Sequence, residues 1–412
     1  MNIKEKPVHA PMDQFPVKNG ELIIGGIPVT QLAEQVGQTP FYAYDRQLIT
    51  ERIELLRKSF PKDIHLHYAI KANPMPEVVQ HLARLVDGFD LASAGEMDVA
   101  LQTNMPVDKI SFAGPGKTDS ELVEAIQTGI IVNLESEGEM HRMAKLADEF
   151  GITPKTAIRV NPDYELKSSG MKMGGGPKQF GVDAERVPEM LREIKSLNLD
   201  FHGFHIFWGS QNLNQEAIKE AHEKTFKLAI RLSEHVPSPV KLLNIGGGLG
   251  IPYFPGEKRL NLQSIGENLD KLLPNLKIHL PDAEIVTELG RFIVGEAGVY
   301  ICKIIDKKMS RGETFLIADG GLHHHLAASG NFGQVIRKNY PIAIANRMND
   351  IEKESVNVVG PLCTPLDILG NKIELPKATI GDLVAVFQSG AYGLTASPQS
   401  FLSHPLIKEV LV

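Results

Sequence analysis

Short apolar runs alternate with amphipathic stretches along the middle of the chain. From residue 64 onward the runs have the length and composition of buried strands. The predicted strands are Ile64–Lys71, Gly88–Ser93, Ile110–Gly114, Ile130–Glu135, Thr156–Asn161, Asp200–Phe207, Lys241–Ile245 and Glu284–Glu288. Helical patterns such as Glu137–Phe150 and Gln215–His235 separate them. This alternation predicts a parallel (β/α)8 TIM barrel.

The pattern changes after Gly290, where strand-like runs are separated by Gly, Pro and Asn turns. These runs are Phe292–Ile305, Glu313–Ala318, Val356–Val359 and Leu383–Gln388. They predict a C-terminal antiparallel β-barrel or β-sandwich domain. Residues 1–39 contain short strand-like pieces such as Glu21–Ile24, and we expect them to join this domain. We therefore assign the barrel to residues 40–288 and the β domain to residues 1–39 and 289–412.

Charge and composition exclude several classes of protein. The 412 residues carry a formal net charge of -7, and Lys and Arg are spread along the chain, which argues against nucleic-acid binding. No apolar run reaches the length of a membrane span. The stretch Met1–Pro16 lacks the apolar core of a secretion signal. The two cysteines, Cys302 and Cys363, cannot build a disulfide framework, so we expect a cytoplasmic enzyme.

Polar residues end several of the predicted strands. Reactive groups in a (β/α) barrel lie at the C-terminal ends of the strands. Those ends carry Lys71, Asp90, Ser93, Arg159, Asn161, Phe207, Gly246–Gly248 and Glu288. A lysine at a strand end is often merely solvated at the rim. Lys71, however, follows the apolar run 67–70, and a desolvated lysine is suited to Schiff-base chemistry.

A glycine run follows the seventh predicted strand at residues 246–250, which read Gly-Gly-Gly-Leu-Gly. It could be a tight turn, or a cradle in which backbone N–H groups bind a phosphate. Barrels tend to bind phosphate in the loops after strands seven and eight, which favours the cradle. Arg291 follows the eighth strand and could add a guanidinium group.

Two further motifs are less specific. Gly174–Gly176 lie in the stretch Ser168–Gly181, which we interpret as a mobile active-site loop, with an inert surface loop as the alternative. His323–His325 could suggest a metal ion, but adjacent side chains seldom converge on one ion. We therefore predict no metal site, and a single histidine, His323, near the substrate.

Several motifs together resemble a known family. The stretch 67–73, His-Tyr-Ala-Ile-Lys-Ala-Asn, is similar to the lysine motif of the fold-type III pyridoxal phosphate decarboxylases, which include diaminopimelate, ornithine and arginine decarboxylases. Further motifs match in order along the chain: Phe89–Ser93, Gly209–Gln211, Gly246–Gly248, Glu288–Arg291 (with Leu289 in place of Pro), Gly360–Cys363 and Gly390–Tyr392. The resemblance implies an alanine racemase-like barrel with a β domain, and pyridoxal 5′-phosphate as cofactor.

The resemblance also implies a role for each matching residue. Lys71 would hold the cofactor as an aldimine, and Glu288 would bind the pyridinium nitrogen. Cys363 would protonate the carbon that loses CO₂. The implied cofactor-binding residues are Lys71, Asp90, Arg159, His205, Phe207, Ser210, Gly246, Gly247, Gly248, Glu288, Gly290, Arg291 and Tyr392. A homodimer with composite active sites is implied as well, because Cys363 and Tyr392 act across the subunit interface in this family.

Three departures from the family pattern bear on the substrate. Phe207 takes the place of a histidine that stacks on the cofactor ring; a phenyl ring can also stack, and His205 lies on the same side of the strand. Thr364 follows Cys363 where the family commonly has an acid that meets a distal ammonium, and the next acid is Asp367. The stretch 319–327 lacks the Arg and Tyr of true diaminopimelate decarboxylases. We therefore predict Thr364, Asp367 and His323 as substrate residues.

The stretches 170–181 and 204–211 resemble a particular subgroup. It contains decarboxylases of glutamyl groups tethered to an acyl-carrier protein, and relatives encoded beside exopolysaccharide and exosortase genes. The leading hypothesis is a decarboxylase of an amino-acid or carrier-tethered aminoacyl substrate. The alternatives are diaminopimelate decarboxylase of lysine biosynthesis, a pyridoxal phosphate racemase, a lysine-dependent aldolase and a non-catalytic homologue. Glu288 argues against the racemase, because racemases of this kind pair the ring nitrogen with Arg.

Overall fold

Eight parallel strands form a closed barrel in the computed structural model, which describes residues 7–165 and 171–412. The first to eighth barrel strands are Ile64–Ala69, Gly88–Leu91, Ile110–Phe112, Ile131–Leu134, Lys155–Asn161, Asp200–Ile206, Leu242–Gly247 and Glu284–Leu289. The fifth strand pairs with both the fourth and the sixth, which closes the ring. The predicted TIM barrel is therefore confirmed. Val182–Asp183 pairs with the fifth strand, and Met171–Lys172 pairs with Gly209–Ser210.

Helices connect consecutive barrel strands. The α-helices of the described residues are Val29–Val36, Arg46–Ser59, Pro76–Leu82, Ala94–Leu101, Asp119–Thr128, Glu137–Phe150, Val187–Ser196, Gln215–Ser233, Leu262–His279 and Arg291–Val294. Polar caps explain where several of them begin. Thr118 accepts a hydrogen bond from the Glu121 N–H while the Glu121 carboxylate accepts the Thr118 N–H, a reciprocal capping box. Among the described residues, no helix combines the length and apolar character needed to cross a bilayer.

The β domain contains strands from both ends of the chain. They are Val17–Lys18, Glu21–Ile24, Ile27–Pro28, Phe41–Tyr44, Gly298–Ser310, Glu313–Ala318, Ile342–Ile344, Lys353–Val359, Ile368–Pro376, Leu383–Val386 and Lys408–Leu411. Most pairs are antiparallel. Two are parallel, namely Glu313–Ala318 with Lys353–Val359, and Phe41–Tyr44 with Lys408–Leu411. The domain is therefore mixed rather than purely antiparallel, because long connections return the chain in the same direction.

One predicted strand of this domain begins later than expected. The apolar run from Phe292 predicts a strand, but Arg291–Val294 forms a short helix and Gly295–Ala297 a 3-10 turn. The strand then runs over Gly298–Ser310. Apolar runs of this length do not distinguish a buried helical turn from a buried strand, which explains the error.

The chain divides into two compact units. Among the described residues, one unit lies within 52–251 and 260–292 and includes the barrel; the other contains the described residues up to 51 together with 252–259 and 293–412. The second unit has its own core, in which Leu22 and Ile24 belong to the same buried cluster as Val299 and Ile301. The domain boundaries drawn from the sequence at residues 40 and 288 stay a prediction.

The barrel interior has an apolar layer formed by strands four, five, seven and eight. Its members are Ile131, Ala157, Leu242 and Val286. Side chains two residues apart in a strand share a face. The next inward positions on the same strands are therefore Asn133, Arg159, Asn244 and Glu288, all of them polar and buried. The interior thus changes from apolar to polar towards the C-terminal ends of the strands.

Candidate active site

A layer of buried polar side chains crosses the barrel interior. Each of the eight strands contributes one member: His67, Asp90, Ser111, Asn133, Arg159, His205, Asn244 and Glu288. Strand register places several of them side by side: Asp90 pairs with Ser111, and His205 with both Arg159 and Asn244. Barrel interiors are usually filled by aliphatic residues, and unpaired polar groups are costly to bury. Such a layer is therefore typical of a functional site.

Lys71 lies just beyond the first barrel strand. The strand ends at Ala69, and Lys71 belongs to the 3-10 turn Ile70–Ala72, which corrects the prediction that it ends the strand. Its side chain is 44% exposed, so it is not the fully desolvated lysine that the apolar run predicts. Gly290 allows the end of the eighth strand to approach this turn, since a Cβ there would lie 2.8 Å from the Ala72 Cβ. The amine is thus accessible at the barrel mouth.

Glu288 lies between two basic groups. Its Oε1 is 3.5 Å from the Lys71 Nζ, and its Oε2 is 3.1 Å from the His205 Nε2. Burial alone would raise the pKa of this carboxyl, but the nearby charges of Lys71, His205 and Arg159 hold the pKa well below its ordinary value. Glu288 is therefore an ionised carboxylate that can hold a proton on a neighbouring ring nitrogen.

Phe207 lies next to these groups, directly after the sixth strand. The Lys71 Nζ is 5.8 Å from the centroid of the Phe207 ring, and the His205 and Phe207 rings meet edge to face at 6.4 Å. The structure therefore brings four of the predicted site residues together: Lys71, His205, Phe207 and Glu288. The phenyl ring offers an apolar face beside the amine, as the stacking hypothesis requires.

The glycine run after the seventh strand cannot carry side chains. Gly246 and Gly248 have φ angles of +70° and +72°, and a Cβ on Gly247 would lie 1.9 Å from the Glu288 carbonyl oxygen. Tight packing thus explains the glycines, and the same lack of side chains exposes backbone to a ligand. The tight turn and the phosphate cradle, the two interpretations drawn from the sequence, are therefore compatible.

The segment that carries Ser210 is fastened to this glycine loop. The Asn212 N–H donates to the Gly248 carbonyl at 2.9 Å. The Gln211 side chain binds both the N–H and the carbonyl of Ile251, at 3.2 and 2.7 Å. Gln211 has a φ angle of +55°, which is unusual outside glycine. These contacts bring Ser210 to the glycine run, where the prediction places a phosphate.

The predicted active-site loop is anchored at both sides. Residues 168–170 lie outside the described part of the chain. Asn161 accepts the Gly175 N–H at 2.9 Å and donates to the Gly176 carbonyl at 2.9 Å, while Glu135 accepts the Gly181 N–H at 2.8 Å. These contacts, with the backbone pairing of Met171–Lys172 to Gly209–Ser210, favour the active-site interpretation over an inert surface loop. Its mobility stays a prediction.

Arg159 is held by a residue that the sequence analysis missed. Its guanidinium donates to the Glu135 carboxylate at 2.7 Å and lies 4.8 Å from the centroid of the Phe180 ring. Glu135 also accepts the N–H groups of Gly114 and Gly181. Burial would raise the Glu135 pKa, but Arg159 and Lys117 hold it below its ordinary value. Glu135 thus fixes Arg159 and two loops at the barrel mouth.

Other members of the polar layer were also missed. They are His67, Ser111, Asn133 and Asn244. The signal that could have found them is a polar residue inside an otherwise apolar strand. These four residues lie inside the strands, whereas most of the predicted barrel residues lie at strand ends.

The predicted residues of the β domain differ in what they contact. Cys363 is exposed, and Tyr392 has a φ angle of +52°, which is rare for an aromatic residue and often marks a functional position. Asp367 is buried and accepts the N–H groups of Leu322 at 2.6 Å and Leu362 at 2.9 Å. Burial raises its pKa. Asp367 therefore joins two loops, with each carboxylate oxygen accepting one backbone N–H, and its predicted contact with substrate stays a prediction.

The three consecutive histidines lie in a turn and are all buried. The His323 ring lies 3.7 Å from the His324 ring and 4.8 Å from the His404 ring, centroid to centroid. Burial lowers the pKa of His323 to about 3, so the ring is neutral at physiological pH. No cluster of metal-ligating side chains occurs in residues 7–165 and 171–412. A contact between His323 and substrate stays a prediction.

Comparison with known proteins places this site in a family. Residues 46–295 match the family model described as pyridoxal-dependent decarboxylase, pyridoxal binding domain. The chain belongs to this family. The resemblance inferred from the motifs is thereby confirmed. The protein is a pyridoxal 5′-phosphate-dependent amino-acid decarboxylase, as the sequence predicts.

Individual relatives cover nearly the whole decarboxylase. The L-glutamyl-[BtrI acyl-carrier protein] decarboxylase of Niallia circulans is 37% identical over 380 residues, which span 91% of this chain and 89% of that protein. The diaminopimelate decarboxylase of Aquifex aeolicus is 35% identical over 398 residues, 96% of this chain and 91% of that protein. A crystal structure of diaminopimelate decarboxylase from M. jannaschii in complex with L-lysine has a TM-score of 0.87 at 27% identity, covering 97% of this chain and 92% of that one.

The residues at the barrel mouth fit the cofactor of this family. Lys71 presents an accessible amine, Glu288 a buried ionised carboxylate, and Gly246–Gly248 a backbone loop in which side chains would clash. Those are the groups that a pyridoxal phosphate needs for its aldehyde, its ring nitrogen and its phosphate. The predicted cofactor therefore matches the chemistry of the described side chains.

Proposed function

We propose that the decarboxylase acts on an amino-acid group whose distal end carries no free ammonium, including a glutamyl-type group tethered to a carrier protein. The observation that carries the proposal is the lack of an available acidic side chain in the loop 360–367. Thr364 is neutral, and the carboxylate of Asp367 is buried and already accepts two backbone N–H groups. No acidic side chain of this loop is left to pair with the second ammonium of a diamino acid.

The relatives support more than one substrate. The Niallia circulans relative is named for a carrier-bound glutamyl substrate, and the Aquifex aeolicus relative for diaminopimelate, at similar identities. The neutral Thr364 favours the first kind, because this position then offers no carboxylate to pair with the distal ammonium of a diamino acid. The missing Arg and Tyr in the stretch 319–327 also favour a substrate other than diaminopimelate.

We propose the following roles for the side chains. When bound, pyridoxal 5′-phosphate supplies an electron sink for the bond that breaks between Cα and the carboxylate. Lys71 holds the cofactor through its amine, and Glu288 keeps a proton on the pyridine nitrogen. Phe207 covers a face of the ring, and His205 positions Glu288. Cys363 delivers a proton to the carbon that has lost CO₂.

The cofactor phosphate has its own proposed set of ligands. Ser210 and the backbone of Gly246–Gly248 form one side, in the two loops that are hydrogen-bonded to each other. The proposed set of phosphate ligands also includes Gly290, Arg291 and Tyr392. Asp90 and Arg159 lie in the buried layer below, where Arg159 is already paired with Glu135. We therefore propose that Asp90 and Arg159 support the site from beneath.

A substrate comparison tests this function. We expect kcat/KM for a glutamyl group on a carrier protein to exceed that for free diaminopimelate, lysine or ornithine by about 100-fold or more. Thr364→Asp supplies the missing acid and should raise the use of free diamino acids by about 10-fold, while the neutral variant Thr364→Asn should not. The readout is CO₂ release together with the mass of the product. Rapid turnover of free diaminopimelate by the unaltered enzyme would contradict the proposal.

We also propose a homodimer with composite active sites, in which Cys363 and Tyr392 act across the interface. The β domain exposes large apolar side chains close in sequence: Phe332, Val335 and Ile336. The Asn331 amide donates to the carbonyl of exposed Leu366 at 3.4 Å, which connects this segment to the Cys363 loop. Exposed apolar surface of this kind is typical of an interface.

The dimer has two tests. We expect light scattering to give a mass of two chains and Val335→Asp to shift it to one, whereas Ile278→Asp, at an exposed apolar position of the helix Leu262–His279, should leave it unchanged. Mixing inactive Lys71→Ala and Cys363→Ala subunits should restore about a quarter of the activity, because random pairing creates one intact composite site in half of the dimers. A monomer, or no restoration on mixing, would overturn the composite site.

A further inference from the structure

Asn244 uses both ends of its side chain inside the barrel. It lies on the seventh strand and is 2% exposed. Its Oδ1 accepts the Gly246 N–H at 2.8 Å, and its Nδ2 donates to the Asp90 Oδ1 at 3.4 Å. A buried carboxamide that is satisfied at both ends has one orientation, since the reverse orientation would leave donor facing donor.

The contact with Asp90 reaches across the barrel interior. Asp90 lies on the second strand, and the eighth and first strands separate the second from the seventh. Asp90 also accepts the Ser111 hydroxyl, and Ser111 in turn accepts the Asn133 amide at 3.1 Å. The His67 Nδ1 lies 3.5 Å from the other Asp90 oxygen. Asn244 therefore links the glycine run to a network held by strands one to four.

The conformation of Gly246 depends on its hydrogen bond to Asn244. The N–H on one side of its Cα is held by Asn244, and its carbonyl on the other side accepts the Thr287 hydroxyl at 2.9 Å. Fixing both flanking peptide planes fixes the two backbone torsions of Gly246, whose φ angle is +70°. The Gly246 carbonyl and the Gly247 N–H belong to one planar peptide and point in opposite directions. Asn244 and Thr287 together therefore set the direction of the Gly247 N–H.

We propose that Asn244 is a positioning residue for the cofactor phosphate, acting through Gly246 and held in place by Asp90. The inference rests on the proposed phosphate site at Gly246–Gly248. It assigns Asp90 an indirect role, in which its charge orients the Asn244 carboxamide and so the glycine loop. Unlike a residue needed only for stability, Asn244 should influence cofactor affinity more than the unfolding midpoint.

The first experiment is a titration of the cofactor-free full chain with pyridoxal 5′-phosphate. Binding is followed by absorbance and by quenching of Trp208, the single tryptophan of the sequence, which packs 3.1 Å from the Cβ position of Gly248. Asn244→Asp keeps the acceptor for Gly246 but sets two carboxylates against each other at Asp90. At pH 8 we expect its Kd to rise by about 10- to 100-fold. The ratio to the unaltered protein should shrink as the pH falls, because a proton shared by the two carboxylates replaces the missing donor.

The second experiment exchanges the two groups. Asp90→Asn combined with Asn244→Asp restores one donor and one carboxylate in swapped positions, and should return the Kd to within about threefold of the unaltered protein. Thr156→Val is the control; it removes a hydrogen bond to the Asp200 carbonyl at the opposite end of the barrel, so it should change the unfolding midpoint alone. The inference is overturned if Asn244→Asp binds normally at pH 8, if the exchange restores nothing, or if Thr156→Val weakens binding equally. Turnover is not measured, so a wrong substrate proposal would leave these results unchanged.

Discussion

Lys71→Ala should lower kcat/KM for decarboxylation by about 10³-fold or more and remove the covalent attachment of pyridoxal 5′-phosphate. The amine of Lys71 is accessible at the barrel mouth, 3.5 Å from Glu288 and 5.8 Å from the centroid of the Phe207 ring. The purified unaltered protein should be yellow and should bleach on borohydride reduction. Mass spectrometry should then find the added mass on the peptide that contains Lys71.

Lys71→Arg is the matched control for charge. Arginine keeps a cation beside Glu288 but is not a nucleophile at neutral pH, so this variant should be as inactive as Lys71→Ala. Because the Lys71 side chain is 44% exposed, neither change should leave a cavity or prevent folding. A borohydride-reducible cofactor in Lys71→Ala, or label on another lysine, would show that the anchor has been assigned wrongly.

Glu288→Gln should lower kcat by about 10²- to 10³-fold, which corresponds to roughly 2.7–4 kcal/mol of transition-state stabilisation. The amide keeps the shape of the side chain but cannot hold a proton on the ring nitrogen. Loss of the Glu288 carboxylate should affect kcat far more than the affinity for the cofactor, since the phosphate ligands are unchanged. The measurement is a comparison of kcat with the Kd for pyridoxal 5′-phosphate in the same variant.

Glu139→Gln provides a control at another buried carboxylate that is paired with a lysine. The Glu139 carboxylate lies 2.8 Å from the Lys117 Nζ, and both side chains are buried. This variant should lower the unfolding midpoint, because it removes the carboxylate that pairs directly with the buried Lys117. The kcat of this variant should stay within a few-fold of the kcat of the unaltered enzyme. Equal losses of kcat in Glu139→Gln and Glu288→Gln would indicate a general loss of structure rather than a role at the ring nitrogen.

Much of the barrel could be predicted because its signal is local. Each strand is a short apolar run, and reactive groups in such a barrel lie where these runs end. Lys71, Glu288 and the glycine run were found in this way. The alternation of faces, followed inward from the strand ends, would have predicted Asn244 and Asn133 as well.

Other features depend on contacts between distant residues. The sequence shows that Asp367 is the acid nearest to Cys363, but only the fold shows that Leu322 and Leu362 already occupy its carboxylate. The parallel pairing of Glu313–Ala318 with Lys353–Val359 likewise depends on how a long connection returns to the sheet. Burial of a side chain and the partners of its polar atoms are not local properties of the chain.

The sequence by itself predicted the class of barrel from its alternating apolar and amphipathic runs, and the cofactor and the reaction through the resemblance of its motifs to the fold-type III decarboxylases. Only the tertiary structure decided how those residues are supported. It set the ionised state of Glu288, the exposure of Lys71, the pairing of Arg159 with Glu135, and the contact of Asn244 with Asp90 across the barrel. The physical reason is that electrostatic and hydrogen-bond energies depend on distance in space, and strands far apart in the chain meet only once the barrel has closed.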